Sequence, residues 1–330
     1  MRNNAIEEIW EKIKSVDKIA MTLHYAPDGD SLGSCTAMKY FLEKHLNKKV
    51  TLVSFDKLSE NLMTFPFAKE VQFDKDISEL NSDDFDLYLF LDSYIKNQSG
   101  KMTTKYVPPK DKLVINIDHH ATNSFFGSLN YVDSSKPSAC SVLIDMLTNL
   151  KIVIDKELAT RLLLGVCTDS GFFTFSNGKD ALKDANFLIE KNADYDLILR
   201  EIQYNTPLKL KKFFAIQFTK LKINKEKKFA YVIIPWHDIK DLKLNKAEVR
   251  LGINDMQMIS GFDFVFNLIE LEDEIKGSFR SSKGVDISKF AEELGGGGHK
   301  AAAGFILKKM PLEEAEKKVL ETIERVGIHK

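Results

Sequence analysis

Cysteine is scarce in this 330-residue chain: there are three, Cys35, Cys140 and Cys167, odd in number and far apart. Their spacing excludes a thiolate zinc cluster or a redox pair, so they read as reduced core thiols. Net charge is nearly absent too, at −1 from 47 basic and 48 acidic side chains. No global positive field exists to gather long nucleic acid or an anionic membrane. No apolar run approaches a membrane span, and the opening MRNNAIEEIWEKIK is amphipathic and charged rather than an apolar signal core. The expected location is therefore the cytoplasm, with neither long duplex nucleic acid nor membrane as a partner, and any anionic ligand has to be held by local groups.

What is present points to two folded domains, since the length exceeds the roughly 100 to 200 residues typical of one. Short apolar runs (KIAMTL, KVTLVSF, DLYLFL, KLVINI) alternate with helical patterns over residues 31–45, 138–150, 156–166 and 180–191. That alternation predicts an α/β domain with a mostly parallel sheet and flanking helices over residues 1–193. A helix over 194–204, ending at NTP, reads as part of a connector, 194–208. From 209 to 330 a smaller α+β domain is expected: a hairpin-like stretch FFAIQFTKLKINKEKKFAYVIIP, a second pair of strands around an acidic turn, and helices over 286–294 and 311–326. The lysines between Lys209 and Lys228 read as a solvated face rather than a nucleic-acid patch, given the balanced charge.

Polar residues follow the predicted strands in a way a core does not require. KIAMTL runs into His24 and the loop YAPDGDS, DLYLFL into Asp92, and KLVINI into Asp118, His119 and His120. In a parallel sheet these carboxyl-end loops share one rim, where ligands bind. Asp28 and Asp30 flank Gly29 in a tight turn, and Asp169 ends the helical run ATRLLLGVCTD. His24, Asp28, Asp30, Asp92, His119 and Asp169 form an imidazole and carboxylate set without thiolate, suited to Mn²⁺ or Mg²⁺ rather than a structural zinc. Six such ligands fit two ions sharing a carboxylate, which implies phosphoryl chemistry.

Near the end, Gly295 to Gly298 precede His299 and Lys300, and Arg280 lies on a predicted strand. Four glycines do not suit a helix or strand interior, so they read as a place of close backbone approach to a ligand, with Arg280 and His299 as a phosphate clamp.

Together these segments resemble the DHH phosphoesterases. HYAPDGDSLGS, YLFLDS, NIDHHATN and LLLGVCTDSGFFTF are similar to the four motifs of their catalytic domain, and SFRSSKGVDISKFAEELGGGGHKAAAGF to the DHH-associated substrate domain. The likeness is greatest to the compact branch of nano-RNases and 3'-phosphoadenosine 5'-phosphate (pAp) phosphatases. It implies an active site in the cleft between the domains, one metal on His24, Asp28 and Asp92, and a second on Asp30, Asp92, His119 and Asp169. It also implies that His120 touches the substrate phosphate, that Asp118 orients its neighbours, and that Arg280, Ser281, Gly297, Gly298 and His299 hold the far phosphate or nucleotide. Two departures bear on substrate preference: Ala26 stands where many relatives have Asn, and SYIKNQSG lacks an arginine that often follows the second motif. The implied substrates are oligonucleotides of a few residues and pAp, in a chain compatible with a homodimer. A soluble phosphodiesterase of cyclic or linear dinucleotides is the alternative, ahead of a RecJ-type exonuclease or a nucleotide-binding regulator without turnover. Phe172, Phe173 and Phe175 read as helix-end packing rather than base-stacking platforms.

Overall fold

The run Leu87–Leu91 is buried at every position, the pattern of a parallel strand covered on both faces. In the computed structural model, which describes residues 3–94, 111–175 and 177–328, it is the fourth of six parallel strands. These are β1 (Lys18–Thr22), β2 (Lys49–Ser54), β3 (Gln72–Phe73), β4 (Leu87–Leu91), β5 (Leu113–Asp118) and β6 (Leu129–Val132), in the order β3-β2-β1-β4-β5-β6. Alternation along the strands sorts the core. Ile19, Met21, Leu89 and Ile117 face the larger cluster, whereas Ala20, Val53, Tyr88 and Phe90 face a smaller one with Ile77 and Phe85. The order turns back between β1 and β4, so their carboxyl ends flank the topological switch point where α/β sheets bind ligands.

The first unit, Met1–Asn205, carries α1 (Ile6–Lys14), α2 (Gly29–Leu46), α3 (Glu60–Met63), α4 (Ala139–Asn149), α5 (Lys156–Asp169), α6 (Gly178–Glu190) and α7 (Tyr195–Leu199). The Asp28, Ser138, Asp155 and Asp194 side chains cap α2, α4, α5 and α7, as short polar acceptors do at helix starts. The expected connector is divided between the units: Ile198 is buried in the first core and a π-helical turn, Arg200–Tyr204, follows it. Ahead of α1, the Asn3 side chain bonds both the N–H and the C=O of Val132. The Asn4 backbone and side chain do the same for Asn130, so both line the edge of β6.

The second unit, Thr206–Lys330, holds β7 (Lys222–Asn224), β8 (Phe229–Ile234), β9 (Phe264–Glu270), β10 (Glu274–Ser281), β11 (Gly297–Gly298) and β12 (Ala302–Lys308) in the order β11-β12-β10-β9-β8-β7. All its pairs are antiparallel except β8 with β9. Phe264, Phe266 and Phe279 pack on one face with α11 (Ser288–Glu293) and α12 (Leu312–Val326). On the other, Val265 and Ile269 pack with α8 (Leu208–Thr219), α9 (Trp236–Ile239) and α10 (Lys246–Gln257).

One expectation is corrected here. The hairpin expected from Phe213 begins only at Lys222. Leu208–Thr219 is helix α8, because Leu210, Phe213 and Gln217 recur at helical spacing and are the positions it buries. The glycine run also serves the unit's own backbone. Gly295, at φ +81°, ends α11 with its N–H on the Glu292 carbonyl and that of Gly296 on Ala291, a Schellman cap. A Cβ at Gly296 would stand 2.1 Å from the Gly304 carbonyl oxygen, and one at Gly298 2.6 Å from that of Ala302. Close approach is thus to β12, and Gly297–Gly298 is itself a strand paired with Gly304 and Ala303. Lys209, Lys220, Lys222 and Lys227 pair with Glu248, Asp238, Glu316 and Glu324. Their charge is therefore compensated locally, as expected of a solvated face.

Candidate metal centre

The rim at the carboxyl ends of β1, β4 and β5 gathers all six ligands read from the sequence. His24 follows β1 and its N–H donates to Ser31 Oγ. Asp28 caps α2 by accepting the Asp30 and Ser31 amides. Asp30 is wholly buried in the first turn of α2, its carboxylate accepting the Ala139 and Cys140 N–H groups at 2.7 and 3.0 Å from the start of α4, the end of a helix that favours an anion. Asp92, at the exit of β4, adopts a left-handed φ of +53°, a conformation that persists where surrounding structure enforces it. Asp169 ends α5.

Two groups of ligand atoms converge. In one, His24 Nε2 stands 3.5 Å from Asp28 Oδ1 and 3.3 Å from Asp92 Oδ2. In the other, His119 Nε2 stands 3.4 Å from Asp92 Oδ1, 3.6 Å from Asp169 Oδ2 and 3.8 Å from Asp30 Oδ2. The two oxygens of Asp92 thus face different histidines. His24 Nδ1 lies 2.8 Å from the Tyr25 carbonyl; a proton there turns the Nε2 lone pair toward the carboxylates, an arrangement that calls for a cation. Ligands about 2.1 Å from one small divalent ion stand roughly 3 Å apart, near these separations.

The electrostatics agree. Burial works against a charged His24, but Asp28 and Asp92 overcome it and push its pKa up to about 10. Burial likewise opposes a charged His119, and Asp92, Asp169 and Asp30 drive it well above the ordinary value. Burial, with Asp92 and Asp169 beside it, raises Asp30, and burial pushes Asp169 up to about 6 against the pull of His119. Asp92 moves the other way, below the usual carboxylate range, because His119 and His24 outweigh its burial. A proton on either imidazole is a weak substitute for a divalent charge among four carboxylates. The donor set therefore fits divalent cations.

Asp118 and His120 lie beside these groups. His120 Nδ1 is 2.8 Å from Asp118 Oδ1 and 3.6 Å from Asp92 Oδ1. Despite complete burial, Asp118 is held far below the ordinary carboxylate range by His120, His119 and Asn123. In the second unit, Arg280 on β10 donates from Nε to Asn254 Oδ1 at 3.0 Å and from a terminal nitrogen to the Phe279 carbonyl. Ser281 is buried next to it, and His299 exchanges backbone hydrogen bonds with Ala302 after β11. Phe172 and Phe173 pack against the first core. Ala26, at φ +49°, occupies the left-handed region that Asn tolerates better, and its N–H donates to Asp56. Most of SYIKNQSG lies outside the described residues.

Residues 18–166 match the DHH family N-terminal domain, and residues 226–326 match the DHHA1 domain. The chain belongs to the DHH family. A bifunctional oligoribonuclease and PAP phosphatase NrnA from Thermus thermophilus is 28% identical over 334 residues, covering 98% of this DHH chain and 97% of that protein. The protein of the same name from Bacillus subtilis is 24% identical over 302 residues, covering 90% and 91%. Among solved structures, an exopolyphosphatase-related protein from Bacteroides fragilis superposes with a TM-score of 0.83 at 23% identity, covering 97% of this chain and 95% of its own. RecJ from Thermus thermophilus in complex with Mn²⁺ gives 0.56 at 14%, covering 98% and 54%. Both structures share the DHH fold.

Several residues of this DHH site escape a reading of motifs. A Cβ at Gly165 would fall 2.4 Å from both Asp30 Oδ1 and Cys140 Sγ, and one at Gly29 2.3 Å from Thr168 Oγ1. These glycines let α2 and α5 approach closely enough to place Asp30 and Asp169. A glycine inside the apolar helical run LLLGVC was the available signal, since it is costly there unless packing requires it. The Tyr94 ring lies 5.3 Å from that of His120, and no spacing rule announced it.

Proposed function

We propose that this chain is a metal-dependent phosphoesterase that releases 5'-mononucleotides from very short oligonucleotides and converts pAp to AMP. The observation that carries the reading is Asp92, whose two oxygens face His24 and His119 in separate ligand groups. In this reading His24, Asp28 and Asp92 hold one ion, and Asp30, Asp92, His119 and Asp169 a second. Mn²⁺ is the proposed ion, although the donors accept Mg²⁺ too. The ions supply Lewis acidity and charge neutralisation toward the phosphoryl group.

The chain's own groups do the rest. Asp118 fixes the His120 ring so that Nε2 is presented to a substrate phosphate oxygen. Asp28 and Asp169, each with a side chain 24% exposed, form the accessible rim. Arg280, Ser281, Gly297, Gly298 and His299 are assigned to the far phosphate or nucleotide, with Asn254 orienting the Arg280 guanidinium. Both proposed reactions break the same bond: water adds to phosphorus, the P–O3' bond is lost, and the 3'-oxygen leaves as a hydroxyl. Support for the substrates comes from the name shared by the Thermus and Bacillus relatives, at modest identity.

No helix among the described residues is long and apolar enough to cross a membrane, and the cytoplasm is the proposed setting. Purified protein with Mn²⁺ is to be profiled on a dinucleotide, pAp, a 24-mer, a cyclic dinucleotide and pyrophosphate. Turnover of the dinucleotide and pAp is expected. Hydrolysis of pyrophosphate alone, or of no phosphoester, overturns the reading.

A further inference from the structure

Behind His120 lies a carboxamide that none of the motif roles uses. Asn123, in the loop after β5, is 9% exposed. Its Oδ1 accepts the Phe125 N–H at 2.6 Å, which fixes the amide's orientation and turns Nδ2 the other way. That nitrogen lies 2.6 Å from Asp118 Oδ2, 2.9 Å from Asn116 Oδ1 and 3.2 Å from the Ser93 carbonyl. Asn116, wholly buried on β5, donates to the same Ser93 carbonyl at 3.0 Å. One side chain therefore joins the exit of β4 next to Asp92, the exit of β5 at Asp118, and the loop that follows β5 at Phe125.

We propose that Asn123 is a positioning residue: by occupying Asp118 Oδ2 it leaves Oδ1 for His120 Nδ1, and so sets the direction in which His120 Nε2 points. With one oxygen held by Asn123 and the other by His120, the Asp118 carboxylate is fixed in rotation and the imidazole is fixed in turn. The catalytic consequence rests on the phosphoesterase reading, in which His120 meets the substrate; the orientation of the ring does not.

The test exploits polarity. Asn123→Asp keeps the acceptor for Phe125 N–H but sets a carboxylate oxygen against Asp118 Oδ2, Asn116 Oδ1 and the Ser93 carbonyl, all of them acceptors. The reciprocal pair Asp118→Asn with Asn123→Asp restores a donor facing an acceptor at the contact between these two side chains, and leaves the Oδ1 acceptor for His120, while the contacts to Asn116 and Ser93 stay unrestored. In the metal-free protein, long-range ¹⁵N–¹H spectra of the His120 ring are expected to show a protonated Nδ1 in wild type and in the double variant, and its loss or broadening in Asn123→Asp. On a dinucleotide, Asn123→Asp is expected to lose roughly 10- to 100-fold in kcat, the usual cost of disturbing a ligand-orienting group, with KM little changed, and the double variant to regain a large part of that loss. An unchanged ring signal in Asn123→Asp, or no recovery of it in the double variant, overturns the proposal. Loss of kcat, KM and melting temperature together, without recovery, makes Asn123 a fold residue only and overturns it too. If wild type hydrolyses no phosphoester, the functional reading fails, and the ring spectra alone decide the positioning role.

Discussion

The left-handed backbone at Asp92 and the glycine opposite Asp30 are where single atoms matter most. Replacing Asp92 by Ala removes the one carboxylate that, among the described residues, faces both His24 and His119. It is expected to lower kcat/KM by a thousandfold or more, about 4 kcal/mol of transition-state stabilisation, while the circular dichroism of the fold is retained. Near-normal turnover in Mn²⁺ is incompatible with a shared carboxylate. Gly165→Ala puts a methyl carbon 2.4 Å from Asp30 Oδ1 and Cys140 Sγ. Overpacking of that kind costs about 1 to 3 kcal/mol, and activity should fall beyond the stability loss because the carboxylate itself is displaced; urea denaturation and dinucleotide assays on one preparation separate the two. The cluster of carboxylates and imidazoles was legible in the sequence because polar residues close the strands, and a strand has no structural reason to end in Asp-His-His. Gly165 and Asn123 were not, since their effect depends on which atom lies opposite, and that is set by tertiary packing.

At the level of elements, patterning located four of the six parallel strands and most helices of the first unit, where burial on both faces leaves continuous apolar runs, but not the short edge strands β3 and β6. It failed at α8, where Phe214, Ile216 and Phe218 mimic the period of a strand while Leu210, Phe213 and Gln217 obey that of a helix. The glycine run also serves helix capping and strand pairing, a demand that only the placement of β12 reveals. Strand β1 carries a testable pH dependence. The exposed Asp86 carboxylate accepts the Lys18 and Asp17 N–H groups, and the Lys18 amide holds it below the ordinary carboxylate value. A group lowered in the folded state adds stability above its unfolded pKa, near 3.9, and loses it as pH falls through the lower folded value. Asp86→Asn should abolish that part of the acid slope. Urea midpoints at pH 5 and pH 3 are then expected to differ less in the variant than in wild type; an equal difference contradicts the assignment.

For the whole molecule, each unit has its own apolar core independent of the ligand cluster. Chelation is therefore expected to stop hydrolysis without unfolding, unlike in a zinc finger: EDTA should leave the far-ultraviolet dichroism unchanged and Mn²⁺ should restore activity, whereas global unfolding would place the metal in the fold. With near-neutral charge and with Lys209, Lys220, Lys222 and Lys227 paired among the described residues, a long strand gains little electrostatic attraction, so the protein should prefer dimers to a 24-mer. Arg280→Ala should lower kcat/KM on a dinucleotide by about 1.5 to 3 kcal/mol, the worth of a charge-assisted hydrogen bond, and lower it much less on a minimal activated phosphodiester. Equal losses on both substrates, or a preference for the 24-mer, would favour an exonuclease.

Asn3 and Asn4 line the edge of β6 with amides that imitate a neighbouring strand. Trimming them removes almost no buried apolar surface, so heat-induced unfolding would barely register the change. What it bares is a short template of unpaired N–H and C=O groups, open to the same strand of another molecule. The consequence belongs to storage and handling: a trimmed preparation would melt like its parent and still grow turbid sooner, with light scattering rather than calorimetry recording the difference.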